Sequence, residues 1–384
     1  MIYFDNAATT FPKPKQVINA VNSALTTYSA NPGRSGHRLS QQAAVAVYEA
    51  RSRCASLFGS KHSERVVFTA NCTMSLNIAL KGLLRPGDRV MTSSLEHNAV
   101  MRPLAKLEKS GVKVDMFEVV IGDKAATFRS FLNTVEPDTK LVVCTHASNV
   151  IGAVMPIKEI GSFCRERGMI FVVDAAQTAG VLDIDIEDMC IDLLCAAPHK
   201  GLYAPMGTGL LIIGDRLPDT LIEGGTGTNS INPIQPAEPP ERYESGTLNL
   251  PGIAGIAAGV DFVTAKTAKR IREHENTLAR QISSGLGRIG GVRLYCERDD
   301  ENFVPVIPFN IGAMNSVEAA ALLDERGIAV RAGLHCAPNA HRRLGTIEQG
   351  AVRVCPSAFT AAQDVNKLLN AVDIIAAGNK KYIF

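Results

Sequence analysis

The sequence predicts an α/β protein with a mainly parallel sheet, followed by a smaller α/β unit. Apolar runs alternate with helix-like segments over the first two-thirds of the chain. A stretch rich in Gly, Pro and Ser, EGGTGTNSINPIQPAEPPERYESGTLNL at 223–250, has no periodicity and interrupts them. The alternation then resumes on a smaller scale toward the carboxyl terminus. A length of 384 residues favours more than one domain and allows a large core.

RVVFTA (65–70) reads as a buried strand, and TMSLNIALKGLL (73–84) as the helix after it. RVMTSS (89–94), KLVVCTHAS (140–148), MIFVVDAAQ (169–177), IDLLCAAP (191–198) and GTGLLIIG (207–214) continue the strand series, with a helix at 157–168 between two of them. Residues 252–289 read as helical. Asn315 with Glu318 forms a capping box, and the helix it opens stops at Gly327. IAVRAG (328–333) follows as a strand, and Thr360 with Gln363 caps a final helix.

Composition excludes several classes. Hydrophobic residues make up 46% and charged residues 20%, as in an ordinary globular enzyme. A net charge near +2 gives no reason to expect nucleic acid or an anionic membrane as partner. The amino terminus lacks a basic leader followed by an apolar stretch, and KKYIF at the other end matches no lipidation signal. Nine scattered cysteines, with Cys144 and Cys195 inside apolar runs, suit free thiols in a reducing compartment, so a cytoplasmic location is expected. No metal-ligand spacing occurs, and Cys190 and Cys195 read as strand-end core residues.

Six segments carry chemistry. In APHKGLYAPMGTG (197–209), Lys200 follows an apolar strand, where desolvation would lower its pKa as a Schiff-base amine requires. In VVDAAQTAG (172–180), Asp174 closes a strand and can pair with a protonated pyridine nitrogen, with Gln177 three residues on. FTANCTMSLN (68–77) turns a strand into a helix through Asn71, Cys72 and Thr73, offering free amides and a hydroxyl to a phosphate; Thr73 would equally serve as an ordinary N-cap. His97 in SSLEHNAV follows a further strand and could stack on a ring or shuttle a proton. Cys336 in VRAGLHCAP lies in a polar, Gly-flanked turn, where Arg331 or His335 could favour its thiolate. Arg353 in GAVRVCPS could bind a carboxylate in bidentate fashion, or serve as a surface ion-pair partner. GLGRIG (285–290) matches a dinucleotide-binding pattern but follows a helical segment, so we read it as a helix stop.

In this order the segments resemble the cysteine desulfurases and selenocysteine lyases, in the class V aminotransferase branch of the fold-type I pyridoxal-5'-phosphate (PLP) enzymes. The likeness runs from YFDNAATT (3–10) through NPGRSGHRLS (31–40) to VRVCPSAFTAAQDV (352–365). EHNAV, HASNVIGAVMPI, VDAAQTAG, PHKGLYAPMGTG and RAGLHCAP are its most specific pieces, and the last resembles the group with a short catalytic loop. The resemblance implies a large domain with a seven-stranded, mainly parallel sheet at 15–255, and a small domain from 1–14 and 256–384. It implies a homodimer that converts L-cysteine to L-alanine and passes the sulfur to an acceptor protein. Selenocysteine lyase or another class V aminotransferase-type activity is the alternative.

The resemblance also implies roles residue by residue. Lys200 would carry the cofactor, with His199 beside it and His97 stacked on its ring. Asp174 would contact the pyridine nitrogen and Gln177 the phenolic oxygen. Cys72, Thr73 and the adjoining amides would hold the phosphate, with Thr247 reaching over from a second subunit. Asn149 and Arg353 would bind the substrate carboxylate, and Cys336 would accept sulfur as a persulfide. Three positions depart from the family pattern: Ala197 where Ser is common, Cys72 where Thr is common, and Leu334 where His is frequent.

Overall fold

The computed structural model describes residues 1–33 and 36–379; Arg34 and Ser35 of the NPGRSGHRLS motif and the terminal KKYIF lie outside them. Twelve strands occur among the described residues. In chain order they are β1 (Ile2–Tyr3), β2 (Val66–Thr69), β3 (Arg89–Ser93), β4 (Lys113–Phe117), β5 (Thr139–Thr145), β6 (Ile170–Asp174), β7 (Leu193–Ala196), β8 (Gly209–Ile213), β9 (Val292–Leu294), β10 (Ile307–Ile311), β11 (Ile328–Ala329) and β12 (Val352–Val354).

Seven strands form one sheet in the order β2-β8-β7-β6-β5-β3-β4. Pairing is parallel from β7 across to β4, and only β8 runs against its two neighbours. The seven-stranded, mainly parallel sheet is therefore as expected. The strands β2, β6, β7 and β8 are buried at every position because helices cover both faces. Alternate side chains feed two cores: Val142 and Cys144 of β5 enter one, Leu141 and Val143 the other.

β4 escaped the sequence reading. It is an edge strand, exposed at Lys113 and fully buried only at Phe117, so it lacks the continuous apolar run that marks its neighbours. The helix read at 73–84 spans Cys72–Leu83. The helical stretch after 250 is two helices, Leu250–Lys266 and Ala268–Leu286, separated by Thr267 at φ +65. The second ends at Gly287, so the glycines of GLGRIG close a helix.

Three further expectations need correction. IAVRAG is a strand only at Ile328–Ala329, because the chain turns at Gly333 to leave the sheet. The last helix, Ala362–Asn379, is not capped by Thr360, whose hydroxyl accepts from Ser357 N at 2.9 Å; the Asp364 carboxylate accepts from Ala361 N at 3.1 Å instead. Cys195 is a buried strand residue, but Cys190 is half-buried in a turn at φ +55.

A second sheet, β12-β10-β9, is antiparallel. β1 pairs in parallel with β11, and Phe4 joins the apolar cluster of Leu278, Phe309 and Leu368. The amino-terminal segment is thus built into the carboxyl-terminal core. Among the described residues, no helix is long and apolar enough to cross a membrane.

Candidate active site

In a parallel sheet, ligands bind beyond the carboxyl ends of the strands. Here those ends converge on a cavity of about 200 Å³. Asn71, Cys72 and Thr73 follow β2, His97 follows β3, and Asn149 follows β5. Asp174 closes β6, with Gln177 just beyond, and His199 and Lys200 follow β7. All nine of these residues line the cavity. Eight of them, all but Asn71, are site residues that the sequence reading assigned.

Lys200 is held by contacts on two sides. Thr10 Oγ1 donates to the carbonyls of His199 at 3.2 Å and Lys200 at 3.1 Å, and Lys13 Nζ donates to His199 O at 2.8 Å. Gly201 packs against the chain after Asp174 so closely that a Cβ on Gly180 would lie 2.4 Å from Gly201 O. Gly180 also has φ +82, which only glycine adopts without strain. This contact sets Asp174 and Gln177 against the lysine turn. Gln177 itself donates to Ala7 O at 3.1 Å.

Burial pushes the Lys200 ammonium below the usual lysine range; Asp174 opposes that shift and Arg353 adds to it. Asp174 is 4% exposed and accepts from Ala176 N at 2.9 Å. The Cys72 thiol donates to Asp174 Oδ1 at 3.6 Å, and burial next to that carboxylate raises its pKa. The Cys72 side chain therefore faces the carboxylate, while its backbone amide opens the helix Cys72–Leu83.

The helix cap is Asn71, whose Oδ1 accepts from Met74 N at 2.9 Å, so Thr73 is not the N-cap. His97 also caps a helix: its Nδ1 accepts from Ala99 N at 3.0 Å. That bond fixes the proton on Nε2, and burial lowers the pKa, so the ring is neutral. Burial, then the neighbouring Lys200 and Lys13, bring His199 down to about 4.

Arg353 is 3% exposed, which removes the surface reading. It donates from Nη1 to Asn149 O at 2.8 Å and from Nη2 to Asp5 Oδ1 at 3.2 Å, backing the cavity wall. Asp5 gave no sequence signal as its counter-ion. Asn149 Oδ1, His199 Nδ1 and Arg353 Nε are buried without a hydrogen-bond partner in the structure.

Cys336 is exposed, whereas His335 beside it is buried. Asn98 N donates to Cys336 O at 2.7 Å, next to His97, and Asn149 Nδ2 donates to His335 O at 2.7 Å. The thiol turn is thus tied to two elements of the cavity wall. His335 cannot supply the positive charge expected of it, because burial and Arg353 push its pKa far down and its ring faces His341. Thr247 is exposed and does not line this cavity.

Comparison with known proteins supports the same reading. Residues 2–368 match the aminotransferase class-V family. A protein of Methanothermobacter thermautotrophicus described as a probable cysteine desulfurase is 32% identical over 383 residues, 98% of this chain and 94% of its own. Another so described, from Pyrococcus abyssi, is 33% identical, covering 97% of this chain and 94% of its own. The apo structure of a cysteine desulfurase from Thermococcus onnurineus superposes with a TM-score of 0.92 at 32% identity, over 98% of this chain and 95% of that one. A match that spans nearly every element described above settles the relationship: the chain belongs to the aminotransferase class-V family.

Proposed function

We propose that this protein is a PLP-dependent cysteine desulfurase, in which L-cysteine gives L-alanine and Cys336 takes the sulfur as a persulfide. One observation carries the reading. A half-buried lysine with a depressed pKa shares a cavity with a buried carboxylate, and an exposed cysteine is hydrogen-bonded to the rim of that cavity.

The residues fit the cofactor. Lys200 would hold its aldehyde, Asp174 its ring nitrogen and Gln177 its phenolic oxygen. Thr73 and the first amides of the helix Cys72–Leu83 would hold its phosphate, without the Ser hydroxyl that Ala197 lacks. The unpartnered Asn149 Oδ1 and His199 Nδ1 leave polar atoms in the wall for a bound group. When bound, the cofactor supplies an electron sink for the bond at the substrate Cα.

The chain's own groups do the rest. Lys200 would take the proton from the substrate Cα. Asn149 and Arg353 orient the carboxylate. Neutral His97, with its proton on Nε2, would offer a donor from the cavity lining. The Cys336 thiolate attacks the substrate sulfur: the S–S bond forms, the substrate C–S bond breaks, and the carbon that becomes the alanine methyl takes a proton. No net oxidation occurs, because enzyme thiol plus cysteine gives enzyme persulfide plus alanine.

A homodimer fits the exposed Thr247 and the exposed apolar side chains Phe11, Tyr48 and Ile231. Nine free cysteines fit a reducing, cytoplasmic setting. The pairing of β1 with β11 fits a small domain that includes residues 1–14, whereas the boundary expected at 255 falls inside the helix Leu250–Lys266, whose apolar side chains join the large core. A sulfur-acceptor protein would take the persulfide from the exposed Cys336.

Incubation of the holoprotein and its Cys336→Ala variant with L-cysteine and with L-selenocysteine tests the activity. The variant should bind cofactor normally and release no sulfur from cysteine. Full desulfurase turnover by the variant would remove Cys336 from the reaction. Retained activity on selenocysteine alone would point to a lyase.

A further inference from the structure

Behind the turn that presents Cys336 lies a buried chain of side chains that the steps above do not use. His335 Nδ1 is 3.1 Å from His341 Nε2, and His341 Nδ1 is 2.8 Å from Thr346 Oγ1. The two rings stack with centroids 5.2 Å apart. His341 is fully buried and Thr346 is 1% exposed. The short helix Pro338–Leu344 brings them together: Gly345 caps it in the left-handed region, and Thr346 N then donates to His341 O at 2.9 Å.

The hydrogen positions follow from the acceptors. The Thr346 hydroxyl lies 3.4 Å from His341 O and donates there. Its oxygen then accepts from His341 Nδ1, which leaves His341 Nε2 to accept from His335 Nδ1. The link from His335 to His341 requires a neutral His341 ring. A second proton on His341 would set two N–H groups against each other.

His335 and Cys336 are consecutive non-glycine residues in the left-handed region, at φ +50 and +56. Such backbone persists only where its surroundings hold it. Asn149 and Asn98 hold the two carbonyls, and the imidazole chain holds the His335 ring. We propose that His341 and Thr346 are positioning residues that act through His335 to lock this turn and aim the Cys336 sulfur at the substrate. The proposal rests on the reading of Cys336 as the sulfur acceptor.

The lock should depend on pH. Burial is the main cause of both imidazoles' low pKa; Arg353 faces both, and His335 also feels His341 and Arg331. His341 is brought down to about 4 from an ordinary value of 6.5. A group depressed in the folded state stabilises it above its unfolded pKa, so the lock is complete above about pH 6.5 and is lost as pH falls toward 4.

The test compares His341→Ala, Thr346→Val, Thr346→Ser and Cys336→Ala holoproteins. The readouts are the visible cofactor band, kcat and KM for L-cysteine, and the rate of Cys336 alkylation by iodoacetamide across pH. Thr346→Val keeps the shape without the hydroxyl, so it stands in if His341→Ala does not fold. His341→Ala and Thr346→Val should keep the band and a KM within about twofold, while kcat falls roughly tenfold or more. Thr346→Ser should restore kcat, and Thr346→Val should lose the acid limb of the alkylation profile between pH 6.5 and 4. Wild-type kcat and acid limb in Thr346→Val, alongside an inactive Cys336→Ala, would overturn the lock and leave the desulfurase reading intact. Lowered thermal stability with no change in kcat or the acid limb would overturn it equally. Full turnover by Cys336→Ala would overturn both.

Discussion

Lys200 is half-buried beyond the carboxyl end of β7, in a desolvated cavity wall, whereas Cys336 stands exposed on a turn whose backbone is left-handed at two consecutive residues. Burial itself prepares the first group. It disfavours the ammonium, and the neighbouring Thr10, Lys13 and Gly180 keep the segment in place. In the proposed reaction the second group must stay accessible to substrate and to an acceptor, so burial is not available to it. Hydrogen bonds to its backbone carbonyl and to its neighbour's ring fix it instead. On the proposed reading, the amine that loses a proton is placed by packing and hydrogen bonds inside the cavity wall, and the sulfur that hands on its cargo is placed by a strained turn at the surface.

Substitutions can break this contrast. The largest effect belongs to Lys200→Ala, which should abolish the visible band and lower turnover by about 10²–10⁴-fold or more; an absorption spectrum and an alanine assay check it. Next, Cys336→Ala should leave the band unchanged and stop persulfide formation, separating the two centres in one spectrum and one mass measurement.

Two glycines sharpen the contrast. Gly180→Ala combines φ +82 with a Cβ only 2.4 Å from Gly201 O, and should cost about 2–5 kcal/mol in denaturant titration. Gly333→Ala, near Cys336, has φ +98 with nothing within 4 Å of its Cβ, so only the backbone penalty of about 1–2 kcal/mol applies. Equal losses at the two positions would mean that packing does not distinguish the regions.

The smallest effect concerns Glu275, 4% exposed and hydrogen-bonded to Tyr203, which borders with Lys200 a second cavity of about 30 Å³. Burial raises its carboxyl to about 8 from 4.5. A carboxyl raised in the folded state binds its proton more tightly there, so its contribution is full below pH 4.5 and is lost as pH climbs to about 8. Glu275→Gln should flatten that decline in thermal midpoint against pH.

The Lys200 side of this contrast was the more legible in the sequence. Near-continuous apolar runs mark a parallel sheet, and polar residues at their carboxyl ends mark the cavity, so Lys200, Asp174, His97 and Gln177 stood out. β4 did not, because an edge strand need not be apolar throughout. Asp5 opposite Arg353, and Thr10 and Lys13 behind Lys200, act across well over a hundred residues of chain, and no local pattern pairs them. His335 was misread for the same reason: its neighbour in sequence is Cys336, but its neighbour in space is His341. The capping roles of Asn71 and His97 could have been found, since each immediately precedes its helix.

One measurement bears most directly on the account: peptide mass analysis of the holoprotein after incubation with L-cysteine, without reductant, followed by alkylation. The account predicts one added sulfur on the Cys336 peptide and stoichiometric alanine. Alanine produced with Cys336 unmodified, or with the sulfur on another cysteine, would contradict it.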